Sequence, residues 1–394
     1  MHRSCRLRCL GLAALTLAGC YRSHRVEDAP DASPRDAGRR LDGGFDAGFD
    51  AGDLPCTGVR VAATVAIDDP GVSSVTPRLV AIPGGDVGLV HVSSDGSPTR
   101  VRFERLSPSL DRLASSTVAT DSFTWAEPAV VEGELWVAYG RAGDEPSILQ
   151  HVSRDGAPLA ERVPVPLPHP SVLQPWREGL FWMAFDMRTD NSLVLAHLSP
   201  TAGLAHDRVV IDLGRYGSGH GAIPRPDGRS HVITYPREGP PGVREGYVNA
   251  LTGAGALGPE RQVSDDGAEL VLPVRVGDEL VLVIHGDALI LERTDFETLE
   301  RLDRATFPAL PSRPFFVGSL AGRVLVGHVT DGVLELDDFG EDLAGFERLT
   351  IRPPDRANGP SGSVLEVPGA VFIAFGVVAG SRSYPFVARV ECAR

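Results

Sequence analysis

Seven short apolar runs recur along this 394-residue chain at a nearly constant interval, and that repetition limits the possible folds more than any other feature. LVHV begins at Leu89, LWVA at Leu135, LFWM at Leu180, HVIT at His231, LVLV at Leu280, VLVG at Val324 and VFIA at Val371. The intervals are 46, 45, 51, 49, 44 and 47 residues. A glycine precedes each run closely: Gly85, Gly133, Gly179, Gly228, Gly277, Gly322 and Gly369. Ahead of the glycine comes another extended stretch, such as PRLVAI from Pro77, EPAVV from Glu127, LPVRV from Leu272 and SVLEV from Ser363. Glycine supplies the positive φ of a tight hairpin turn, so each run is the second strand of a hairpin.

A third strand follows every run, as RVRFERL from Arg100, SILQHVS from Ser147, LVLAHLS from Leu193, GYVNALT from Gly246, ALILERT from Ala288, GVLELDD from Gly332 and PFVARVE from Pro385. A more polar fourth stretch comes next, as LDRLASSTV, PLAERVPV, LAHDRVVI, LGPERQVS, LERLDRATF and FERLTI. Strands covered on both faces read as continuous apolar runs, whereas strands that meet water alternate. With 44 glycines and 32 prolines supplying turns, the class is all-β. Four strands at a period in the mid-forties match the spacing of propeller blades, and residues 56–394 resemble the β-propeller superfamily. The resemblance implies a seven-bladed β-propeller of four-stranded antiparallel blades. No Trp-Asp repeat ending, kelch di-glycine series or Tyr-Trp-Thr-Asp motif assigns a subfamily, and a β-helix or a sandwich is the alternative fold.

The seventh repeat stops one strand short, since its third strand ends at Glu391-Cys392. At the other end, GVRVAATVAI from Gly58 has the character of an orphan fourth strand. The N-terminal strand is therefore expected to complete the last blade and close the ring. Cys56 and Cys392 would then fall in one inter-strand turn, close enough for a disulfide. A lone pair of cysteines, with no histidine cluster near either, is a poor zinc site.

The amino terminus reads as an address. Residues 1–20 carry Arg3, Arg6 and Arg8, then an apolar run from Cys9 to Ala18, about half the ~20 residues that cross a bilayer. Leu17-Ala18-Gly19-Cys20 resembles the bacterial lipobox, which implies a signal peptide over 1–19, diacylglycerol on Cys20 and a membrane anchor at the cell envelope. Tyr21 stands where aspartate marks inner-membrane retention in such lipoproteins, which implies the outer membrane, periplasmic or surface-exposed. A secretory signal cleaved elsewhere is the alternative. Residues 20–55 hold three Asp-Ala-Gly triplets and few apolar residues, so a lipidated cysteine with a disordered Asp/Ala/Gly/Pro-rich tether is expected. The triplet spacing fits neither the EF-hand loop nor the nonapeptide calcium repeat.

Loss of three arginines with the leader would take the formal net charge from −14 to −17, and the chain has no lysine. An acidic chain without a basic stripe lacks the footprint of a nucleic-acid binder. No nucleophile elbow, zinc-protease helix or phosphate loop is present, so no catalytic residue, metal or cofactor is assigned. His151 and His197 share a third-strand position with Arg105 and Arg293 of other repeats and read as a solvated face, while His91 and His231 read as core residues.

A site is expected on the face carrying the fourth-to-first and second-to-third strand connections. Two of these are long: DLGRYGSGHG over 212–221 and PREGPPGVRE over 236–245. Candidate rim residues are Tyr216, His220, Arg237 and Arg244, with Asp186, Arg188 and Asp190 in the neighbouring turn and Trp125 beside the second blade. The function expected is a lipid-anchored, non-catalytic, monomeric scaffold for a protein, peptide or glycan. The alternative is a propeller-type envelope hydrolase, acting on a glycan or lactone with loops of several blades. Two or more carboxylates or a histidine facing one funnel would favour the enzyme.

Overall fold

The computed structural model describes residues 56–67, 73–94, 98–121, 125–140, 146–176, 179–186, 191–199, 203–214, 219–240, 243–264 and 267–393. The predicted leader, Cys20 and tether lie outside them. Seven antiparallel sheets form a ring of blades, and strands are counted outward from the centre in each. All seven apolar runs are second strands, the first being Val87–Ser94 and the last Ala370–Ala379.

The turn glycines act as the sequence requires: all seven have positive φ. In blade 2, Glu132 and Gly133 have φ of 51° and 81° and join Trp125–Val131 to Glu134–Gly140. A two-residue turn left-handed at both positions matches the twist of the flanking strands, which is why glycine belongs there.

Burial grades outward as the apolarity did. The second strand Val87–Ser94 is buried along nearly its whole length. The outer strands Val59–Ala66 and Arg301–Pro308 alternate or lie open. Two outer strands are less regular than expected. In blade 2 the expected run from Pro158 is reduced to a single bridge from Pro158 to Val152 and the strand Val163–Val165, and in blade 3 the expected run from Leu204 splits into Gly203–Leu204 and Val209–Asp212. An outer strand has a partner on one side only, so local polarity can break its ladder without exposing the core.

The core is a set of seams between blades. One cluster joins blades 1 and 2 through Val90, Phe103, Val137 and Tyr139, and another joins blades 7 and 1 through Leu79, Leu89, Phe372 and Val387. Buried polar groups bridge the inner ends. Arg78 of blade 1 pairs with Glu127 of blade 2 and donates from Nη1 to the Gly362 carbonyl of blade 7 at 3.2 Å. The Leu79 amide donates to Ser363 Oγ at 3.0 Å.

Ring closure is as expected. Val59–Ala66 pairs antiparallel with the third strand of blade 7, with Val59 opposite Cys392 and Ala66 opposite Phe386. Cys56 and Cys392 form a disulfide with Cα atoms 5.2 Å apart. One blade is thus made from both ends of the described chain, and the sulfur bridge fixes its outer corner.

Candidate functional site

The long connections that drew attention in the sequence are partly strand. His231–Glu238 and Arg244–Leu251 extend the hairpin of blade 4, so Pro236, Arg237, Glu238, Arg244 and Glu245 sit in paired strands. Arg188, Asp190 and Tyr216 lie outside the described residues. Four of the five described candidates contact residues of other segments, and the fifth, Asp186, is buried. Trp125 stacks on His169 at 5.4 Å between centroids, where burial pulls the His169 pKa down to about 4. Asp186 is buried at the end of its strand. His220 is buried, with Nε2 2.8 Å from Ser171 Oγ across the seam of blades 3 and 4. Arg237 donates twice to Glu260, at 3.0 and 2.8 Å, with its guanidinium 4.2 Å from the Tyr247 ring centroid. Arg244 lies 3.5 Å from Glu269.

The predicted face does carry an open cleft, at blades 6 and 7, and none of those five residues borders it. The cleft measures about 580 Å³. Arg313 and Phe315 come from the connection between blades 5 and 6, Val329 and Asp331 from the second-to-third strand turn of blade 6, and Arg356 and Asn358 from the first strand of blade 7. These are the two types of connection expected to bear a site. Their segments are short, so loop length gave no sign of them. The signals present were Asp331-Gly332, the strongest dipeptide for a two-residue hairpin, and the arginines that flank blade 6. Among the described residues that border it, Asp331 is the single carboxylate and none is histidine.

Histidine chemistry lies elsewhere and corrects one expectation. His197, read as solvated, is 0% exposed. Its Nδ1 is 2.8 Å from His206 Nε2 and its Nε2 is 3.3 Å from His231 Nδ1, while Trp176 stacks on it at 4.5 Å. A neighbouring-blade partner buries it, which strand position could not reveal. His206 Nδ1 lies 2.6 Å from the Asp207 carbonyl, and a carbonyl only accepts. The neutral chain then has one polarity: His231 Nδ1–H donates to His197, His197 Nδ1–H to His206, and His206 Nδ1–H to the carbonyl. Burial, reinforced by His206, lowers the His197 pKa to about 4. Burial and then His197 hold His231 well below its ordinary value. His151 is half-buried, stacked on Trp136 at 4.8 Å, and His91 and His231 are core residues as expected.

Among the described residues, no group of three or more histidine, cysteine, aspartate or glutamate side chains is placed to hold a metal ion, and no helix is long and apolar enough to cross a membrane.

The chain is similar to the WD40 β-propeller domain of Doa1, at 12% identity over 86% of this chain and 98% of that one, with a TM-score of 0.55. It is similar also to a chain of a mitotic checkpoint complex, at 11% identity over 85% of this chain and 96% of that one, TM-score 0.55. A prolyl endopeptidase chain matches at 18% identity and a TM-score of 0.49, over 77% of this chain, which spans 45% of that chain's length. At these identities the likeness is one of fold alone. No family model matches, and neither does any curated protein.

Proposed function

We propose that this protein is a lipid-anchored propeller of the cell envelope that binds a protein, peptide or glycan partner without catalysis, through the cleft of blades 6 and 7. In this reading residues 1–19 are removed, Cys20 carries the lipid and residues 20–55 are the tether to an outer-membrane surface. The observation that carries it is the position of the cleft relative to the entry of the chain. Arg356 pairs with Val378 at one end of blade 7, whereas Val59, Cys392 and Ala370 sit at the other. The second strand of that blade spans 10 residues, so at ~3.3 Å per residue the two ends are roughly 30 Å apart. A tether entering at Cys56 would hold the disc by one face and turn the cleft away from the membrane.

The described cleft borders also favour binding over hydrolysis, because among them one exposed carboxylate stands without the second acid or histidine that paired acid–base catalysis uses. Two measurements test the reading. Cys20→Ala is expected to release the protein from membranes, and unchanged partitioning would refute the anchor. Asn358→Trp, at an exposed cleft position, is expected to lose partners recovered from detergent-solubilised envelope, while Arg60→Gln at the opposite end keeps them. Identical partner sets would refute the cleft.

A further inference from the structure

Both guanidinium groups that border the cleft are seated against glycines. Arg356 is exposed, and its stem runs along Gly332, where an added Cβ would collide with Arg356 Cγ and lie 3.3 Å from Nε. Asp331 and Gly332 have φ of 52° and 79° and form the two-residue turn between Arg323–Thr330 and Val333–Phe339. Gly332 therefore does two things: it permits the left-handed turn, and it leaves a side-chain-free surface along which the Arg356 stem lies. Arg313 donates from Nη2 to the Glu269 carbonyl at 3.1 Å, and its guanidinium lies against Gly219 in the long 212–221 connection. That connection, singled out for its length, thus reaches the cleft through Arg313.

The local charge opposes that of the whole molecule. Among the described residues, two arginines and one aspartate border the cleft, in a chain whose formal net charge is −14. Nearby, burial lowers the His285 pKa, with Glu269 opposing and Arg313 acting in the same direction as burial. Val329, Ala357 and Val378 give the cleft apolar walls, and Phe315 is only 2% exposed, so it offers no open ring face for a sugar to stack on.

We propose that the cleft takes a short acidic peptide segment, with a side-chain carboxylate held by Arg313 and Arg356 and an adjacent apolar side chain against Val329 and Val378. Guanidinium matches carboxylate in charge and in the spacing of its donors, and a pre-seated arginine loses less side-chain freedom on binding. This rests on the cleft being the binding site.

The test uses the full-length protein in detergent, with the fluorescein-labelled peptide Gly-Val-Asp-Phe-Asp-Val and its Asn counterpart followed by fluorescence anisotropy. The Asp peptide is expected to bind about tenfold to a hundredfold tighter, the range of a charge-assisted contact, and to weaken with added salt. Arg356→Gln should reduce the distinction between the peptides, and Arg313→Gln with Arg356→Gln should abolish it. Gly332→Ala, which keeps both charges but displaces Arg356, should reduce it, with the melting curve reporting that the blade is still folded. Equal affinity for the two peptides would overturn the arginine clamp while leaving the cleft as a peptide site. Binding of oligogalacturonate but neither peptide would overturn the peptide assignment. No binding by any of the three would overturn this inference, and the partner recovery described above would still decide the cleft itself.

Discussion

Acidification should unlock the seam between blades 3 and 4 before it affects most of the molecule. His197 is fully buried, and its pKa is lowered to about 4 from an ordinary 6.5, so the folded state disfavours the imidazolium. The groups facing it are His206 and His231, with Asp227 acting on His231 in the opposite direction. Between these two pKa values the unfolded chain binds the proton and the folded chain does not. Stability is therefore fully present above about pH 6.5 and falls as pH drops toward 4. At 1.36 kcal/mol per pKa unit, His197 alone contributes a loss of about 2 kcal/mol by pH 5 and about 3 kcal/mol by pH 4. His231 adds in the same direction. Against the ~5–15 kcal/mol that stabilises ordinary domains, that loss is large. Urea midpoints at pH 7, 6, 5 and 4 measure it, with His197→Gln as the comparison, because glutamine can neither ionise nor retain the charge penalty. The variant starts less stable, having lost part of the hydrogen-bonded chain, but its midpoint should change less between pH 6.5 and 4. Carboxylates with lowered pKa, such as Glu104 and Asp337, are common to both proteins and lose their contribution as pH falls through the carboxylate range. Parallel pH profiles for the two proteins would refute the argument.

Other perturbations bear on closure and on the inner ring. The Cys56–Cys392 bridge spans a sequence separation of 336, and the chain-entropy model puts an upper value of roughly 6 kcal/mol on such a link. Cys56→Ser with Cys392→Ser should lower the unfolding midpoint, and reductant should lower the wild type to the same value without affecting the variant. Glu127→Leu leaves the buried Arg78 guanidinium without its carboxylate and should cost about 3–5 kcal/mol by urea unfolding, much of it recovered in Arg78→Met with Glu127→Leu.

The repeat was readable because a blade is a local object. Gly277 before Leu280, or Gly369 before Val371, names its hairpin through nearest neighbours in sequence. Closure was readable too, since a missing strand at one end and a spare one at the other leave a single economical pairing. The rest depends on which residues meet across seams. His197 and Arg293 occupy comparable strand positions, yet only His197 has Trp176, His206 and His231 packed around it. The cleft is assembled from three short segments near Arg313, Asp331 and Arg356, each unremarkable alone.

The seven hairpins, the gradient from dry inner strands to wet outer ones and the pairing of Val59–Ala66 with the last repeat follow from the residue pattern, because periodicity and turn chemistry act over a few residues. Only the folded ring brings Arg313 and Arg356 to the border of one cleft and takes His197 out of water. Those properties arise when blades distant in sequence are brought within contact, and neither spacing nor composition encodes a neighbour's side chain.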